Sequence, residues 1–166
     1  MKAEEVLRAA LDLVEPDPGE ELRVKAVAER ALNRVRSVAE SSPYRPQVKL
    51  GGSHAKGTWV RGDVDIDIFV LFDPSLGADR LEDVGLRLAE SAMKGLRSRR
   101  RFSEHPYVEA FIDDVRVNVV PCFDVQPPDW ISAADRSPHH TRLIIERFDD
   151  GLRRETRLLK KFMKFL

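Results

Sequence analysis

The stretch GGSHAKGTWVRGDVDIDIFVLF, Gly51–Phe72, sets two aspartates, Asp65 and Asp67, inside a run that otherwise reads as a buried β-strand. Charged carboxylates rarely occupy such a run without a partner. Alternate residues of a strand share a face, so Val64, Ile66 and Ile68 point one way and Asp65 and Asp67 the other. Two like charges that close repel and raise each other's pKa unless a cation lies between them. Oxygen donors on one open face suit Mg²⁺, which keeps waters and takes phosphate oxygens as further ligands. The competing reading is an edge strand with a solvated polar face, which the same alternation fits.

The preceding turn adds a second half to the pattern. Gly51-Gly52-Ser53 follows a short strand, QVKL at 47–50, and SHAKGTW opens a short helix. Glycines let the backbone approach a phosphate, and N–H groups at a helix start point at the anion. Ser53 adds a hydroxyl donor and Lys56 a point charge one turn on. A phosphate cradle followed by twin metal ligands is far more specific for a nucleoside triphosphate than either part.

The rest of the 166-residue chain frames this segment. Apolar recurrence predicts helices over 2–14 (Val6, Leu7, Ala10, Leu11, Val14) and 20–39 (Leu22, Val27, Ala28, Ala31, Leu32, Val35). The strand over 64–72 ends at Pro74 and Gly77, and a helix follows over 81–96. Strands over 107–112 and 115–120 flank an Asp113-Asp114 hairpin turn. Helices over 139–147 and 150–166 close the chain. The order predicts an α+β fold on a small mixed sheet flanked by helices. Charged residues make up 34% and hydrophobic residues 42%, with zero formal net charge, which argues against a protein wrapped in nucleic acid. No apolar run reaches membrane-spanning length. A single cysteine, Cys122, excludes an internal disulfide and fits a reducing, cytoplasmic setting.

GGSHAKGTW…DVDIDIF resembles the signature of the polymerase-β-like nucleotidyltransferases. More narrowly, EHPYVEAFIDDVRVNVVPCFDV, DRSPHH and ETRLLKKFMK are similar to motifs of the archaeal-type (class I) CCA-adding tRNA nucleotidyltransferases. The resemblance implies template-independent addition of CMP and AMP, from CTP and ATP, to the tRNA 3′ end with Mg²⁺. It implies that Asp65 and Asp67 bind metal, and that Gly52, Ser53, Lys56, His140 and Lys160 contact the nucleotide. Where the family usually has Arg, Lys56 keeps the charge and loses the bidentate fork. An ordinary helix-start histidine at 140 and a solvated lysine at 160 are the plain alternatives.

The family's third metal-binding carboxylate falls, in this chain's VNVVPC, on Asn118. Alternation turns Val115, Val117 and Val119 to the core and Arg116 and Asn118 to the site. The placement is kept and the charge is lost. An amide oxygen is a far weaker Mg²⁺ ligand and accepts no proton, so transfer is expected to be impaired. Three explanations stand open: an engineered substitution that traps a substrate complex, a natural change marking a relative that binds without catalysing, or service by Asp113, Asp114 or Asp124.

By the same resemblance, residues 1–148 correspond to a catalytic head and 149–166 to the start of a neck-like helix. Its apolar end, Leu158 to Leu166, needs cover from further segments or a second copy in a homodimer. RSRRRF, 97–102, reads as a phosphate-binding stripe or a solvated helix end. The alternatives to CCA addition are a catalytically silent nucleotide- or RNA-binding relative and a minimal nucleotidyltransferase acting on a protein or small molecule.

Overall fold

The computed structural model describes residues 2–102 and 104–164. Helices α1 (Ala3–Val14) and α2 (Pro18–Ser41) lead into β1 (Gln47–Gly51), a one-turn α3 (Gly52–Ala55) and β2 (Asp65–Phe72). A 3₁₀ turn at Pro74–Leu76 precedes α4 (Ala78–Ala92), β3 (Ser98–Arg101), β4 (Tyr107–Ile112) and β5 (Val115–Phe123). Helices α5 (Ala133–Arg147) and α6 (Asp150–Met163) follow.

The strands form one mixed sheet in the order β1-β2-β5-β4-β3. Only the central β2–β5 pairing is parallel, with Asp65 opposite Arg116 and Asp67 opposite Asn118. One face carries Ile66, Ile68, Val70, Val108, Val117 and Val119, all fully buried, against α2 and α4. On the other face α5 covers Phe69, Leu71 and Cys122 through Ala134. The part of that face bearing Asp65, Asp67 and Asn118 stays partly open. The alternation expected for both central strands therefore holds.

Local chemistry explains the ends. Asp17 caps α2 by accepting from the Glu20 N–H at 2.9 Å, with Pro18 in the first turn. Asp113 and Asp114 both have positive φ (48° and 62°), as a two-residue type I′ hairpin turn requires. Pro121 sits late in β5, beyond Val119, where pairing with β4 has ended and its missing N–H leaves no gap on that side. Helix α4 packs onto it closely: a Cβ on Gly85 would lie 2.4 Å from Pro121 Cβ.

Several expectations are corrected. The helix expected over 81–96 spans Ala78–Ala92, and RSRRRF contributes to an edge strand instead of a helix end: Ser98–Arg101 pairs antiparallel with β4. All four of its residues are exposed, so no apolar alternation announces it. Helix α5 begins at Ala133, not 139, because a Ser132–Asp135 capping box starts it and Pro138 is accommodated early in it. His140 consequently lies inside this helix. In α2, Val24 takes the buried place expected for Leu22, which is 72% exposed. In α1, Val6 and Leu7 are about half exposed and Val14 alone of the expected stripe is fully buried.

Candidate active site

Asp65 and Asp67 project from the start of β2 into a cleft of about 540 Å³ shared with Ser53, Trp59, Lys160 and Met163. The Gly51-Gly52 turn lies against this strand. Gly52 has φ +67°, and a Cβ there would stand 1.8 Å from Asp67 Oδ2. Only glycine permits that approach. Ser53 is thereby held at the cleft wall beside the aspartates.

Burial pushes the Asp67 carboxyl above its ordinary pKa; the Asn118 hydrogen bond opposes that rise and the charge of Asp65 adds to it. The Asp65 carboxyl is also pushed up, again chiefly by burial, with the Arg116 guanidinium opposing. Arg116 Nε lies 3.3 Å from Asp65 Oδ1. Asn118 Nδ2 donates to Asp67 Oδ1 at 2.9 Å. That contact fixes the amide orientation, because an amide oxygen turned to a carboxylate oxygen would repel it. Asn118 Oδ1 is then buried without a hydrogen-bond partner.

Lys56 Nζ lies 3.1 Å from His140 Nδ1, joining the turn after β1 to α5. A lysine ammonium only donates, so Nδ1 accepts and the imidazole is neutral. The Lys56 charge, with some burial, holds the His140 pKa down. The Lys56 pKa is itself lowered by burial, against the pull of Asp67. Lys160 reaches the cleft from α6 and donates to Thr58 O at 2.9 Å and Thr58 Oγ1 at 3.1 Å. Burial, then the nearby Lys56 charge, lowers its pKa. The sequence candidates Gly52, Ser53, Lys56, Asp65, Asp67, Asn118, His140 and Lys160 thus surround one region.

The three acids considered as stand-ins for residue 118 lie elsewhere. Asp113 pairs with Arg30 of α2, on the opposite face of the sheet. Asp114 is the second turn residue. Asp124 follows the far end of β5, where Gln47 Nε2 donates to it at 2.7 Å.

Two positioning residues carry no sequence motif of their own. Asp135, 1% exposed, accepts from the Phe123 N–H at 2.8 Å and the Ser132 N–H at 2.6 Å, tying α5, and with it His140, to the end of β5. Arg157 donates to Gly57 O at 2.7 Å and Trp59 O at 3.0 Å, tying α6, and with it Lys160, to the turn after α3. A Ser-x-x-Asp capping pattern was the available signal for Asp135; none existed for Arg157.

No three His, Cys, Asp or Glu side chains form a metal-holding group among the described residues. The donors present are two carboxylates and the unpartnered Asn118 oxygen. Hard oxygens on one face fit a divalent cation that completes its shell with water and phosphate. No helix among the described residues is long and apolar enough to cross a membrane.

Comparison with known proteins agrees with this geometry. The chain is 38% identical over 162 residues to the CCA-adding enzyme of Halorubrum lacusprofundi, covering 97% of this chain and 35% of that protein. It is 36% identical over 162 residues to the CCA-adding enzyme of Sulfurisphaera tokodaii, covering 97% and 36%. The Methanocaldococcus jannaschii CCA-adding enzyme is 35% identical over 167 residues, with 98% and 37% covered. The chain thus spans about a third of the length of these curated relatives. In structure, E. coli MS115-1 CdnC with ATP superposes with TM-score 0.71 at 22% identity, covering 99% of this chain and 58% of that one. The Cid1 poly(U) polymerase superposes at 0.68 with 18% identity, covering 96% and 46%. At those identities the shared property is the fold, an α+β polymerase-β-like nucleotidyltransferase architecture. The family described as nucleotidyltransferase domain matches residues 29–146, which hold the sheet, the glycine turn and both aspartates, and this chain belongs to it.

Proposed function

We propose that this chain provides the catalytic head of a template-independent RNA nucleotidyltransferase, adding CMP and AMP from CTP and ATP to the tRNA 3′ end. Residues 1–148 form the head and 149–166 begin a neck-like helix. The observation that carries this reading is the placement of Asp65 and Asp67 on the cleft side of β2, directly against the Gly52-Ser53 turn.

In the reaction, the oxygen of the RNA 3′-hydroxyl bonds to the α-phosphorus, the α–β phosphoanhydride bond breaks, and pyrophosphate leaves with the electron pair. The hydroxyl proton passes to solvent or a nearby base. Ser53 donates its hydroxyl to a phosphate oxygen, and Lys56 and Lys160 place ammonium charges beside the triphosphate. Neutral His140 orients Lys56 and contacts the nucleotide. Mg²⁺ held by Asp65, Asp67 and the Asn118 oxygen supplies positive charge where phosphate charge builds and where the hydroxyl must lose its proton. The exposed apolar residues of α6, Leu159, Phe162 and Met163, are 60–61% accessible and provide a face for further segments or a second copy; Phe165 and Leu166 lie outside the described residues. The setting is cytoplasmic, where tRNA, CTP and ATP meet.

Incorporation of radiolabelled CTP and ATP into a tRNA lacking its terminal CCA tests this reading. Transfer that Asp67→Ala abolishes is expected. Nucleotide binding with no incorporation, even at high enzyme concentration, would sink it in favour of a silent binder.

A further inference from the structure

Four side chains stand in one row across the site-facing side of the sheet. Asp67 on β2 is the register partner of Asn118 on β5, Asn118 of Glu109 on β4, and Glu109 of Arg99 on β3. Opposed residues on antiparallel strands share a face with Cβ atoms about 4.5–5.5 Å apart. Glu109 therefore flanks Asn118 on one side as Asp67 does on the other.

Glu109 is 3% exposed. A carboxylate so buried stays ionised only beside positive charge. Arg99 supplies it, with Nε donating to Glu109 Oε1 at 2.7 Å. Yet Arg99 belongs to the edge strand and its side chain is 62% exposed. A long, solvated guanidinium gives up such a contact at small cost. Glu109 and Arg99 also line a hollow of about 260 Å³ with Arg97 and Phe111.

The direction of the reaction gives this carboxylate a use. The Gly52-Ser53 turn follows β1, so the phosphates and departing pyrophosphate belong on the β1 side of the aspartates. In-line displacement brings the attacking hydroxyl from the opposite side, over β5 and β4. The triphosphate carries its own negative charge to the first side. On the second, residue 118 offers none.

We propose that Glu109 is the third carboxylate of this site, holding one strand away the negative charge that position 118 lacks. The proposal rests on the nucleotidyltransferase reading above. Arg99 neutralises Glu109 in the resting protein and is exchanged for the divalent cation that arrives with nucleotide. Asn118 joins the two acids: its nitrogen donates to Asp67, and its buried oxygen, which no protein group occupies, is left for the cation.

The test is Mn²⁺ affinity of the full chain at pH 8 with a non-hydrolysable CTP analogue, read by electron paramagnetic resonance. Glu109→Gln is expected to weaken binding roughly 10- to 100-fold. Asn118→Asp added to Glu109→Gln is expected to restore it. Arg99→Gln, which removes the competing cation, is expected to tighten it. A folded Glu109→Gln protein with wild-type affinity overturns the proposal; should that variant not fold, unchanged affinity in Arg99→Gln overturns it. CMP transfer to tRNA is scored separately. The expected Mn²⁺ pattern without transfer in any variant leaves Glu109 assigned and rejects the reaction proposed above.

Discussion

A side-chain carbon on Gly52 would sit 1.8 Å from Oδ2 of Asp67, so the phosphate-side turn and the second aspartate occupy adjoining space by design of the backbone. Gly52→Ala must displace Asp67 and also strain a φ of +67°. A loss of about 1–3 kcal/mol in stability is expected, with nucleotide affinity lost alongside. Urea unfolding and CTP titration check both. A variant of full stability that still binds nucleotide would mean the turn moves freely past β2.

Asn118→Asp replaces the donor to Asp67 with a carboxylate. Two oxygens would then face each other where a 2.9 Å hydrogen bond stands. Metal-free protein is expected to lose about 1–3 kcal/mol, and millimolar Mg²⁺ to recover much of it. Melting curves with and without Mg²⁺ decide the matter. A variant indifferent to Mg²⁺ would place residue 118 outside the cation's reach.

Asp67 gives a pH signature. Burial holds its folded pKa above the ordinary value of 3.8. An acid raised in the folded state contributes its stability fully below the unfolded pKa and loses it as pH rises through the folded one. At neutral pH without metal, ionised Asp67 is therefore a net cost. Asp67→Asn should be more stable than wild type at pH 7 by on the order of 1 kcal/mol. The difference should close as pH falls below about 4. Paired unfolding curves across that range would show it, and a less stable variant at pH 7 would contradict the assigned direction.

Arg157→Ala removes donors to Gly57 O and Trp59 O. Hydrogen bonds from a charged group commonly contribute about 1.5–3 kcal/mol each, so a drop of at least that order is expected. Because Lys160 rides on the same helix, nucleotide affinity should weaken too, although residue 157 lines no part of the cleft among its described walls. Calorimetric titration with CTP checks this. Unchanged affinity would show that Lys160 keeps its place without the anchor.

The sequence made the central strands and their carboxylates readable because alternation alone decides which way Asp65, Asp67 and Asn118 face once one side is buried. Register was beyond it. Glu109 shares a face with Asn118 only through the antiparallel pairing of β4 with β5, a relation no local pattern expresses. The Lys56–His140 contact bridges 84 positions and depends on how α5 crosses the sheet. Edge strand β3 escaped because four exposed polar residues, SRRR, look like any solvated surface. The early start of α5 was masked by Pro138, read as a breaker although the capping box at Ser132 precedes it.

The parallel pairing of β2 with β5 spans residues 73–114, so on a growing chain β2 is complete long before its partner exists. Until β5 emerges, β2 has β1 on one side and a bare, strongly apolar edge on the other, open to wrong pairing. Asp65 and Asp67 at its leading end act as gatekeepers in that interval, since like charges resist a second copy stacking in register. The same two residues thus serve assembly before they serve chemistry, and neutralising both would be felt first as lost soluble yield.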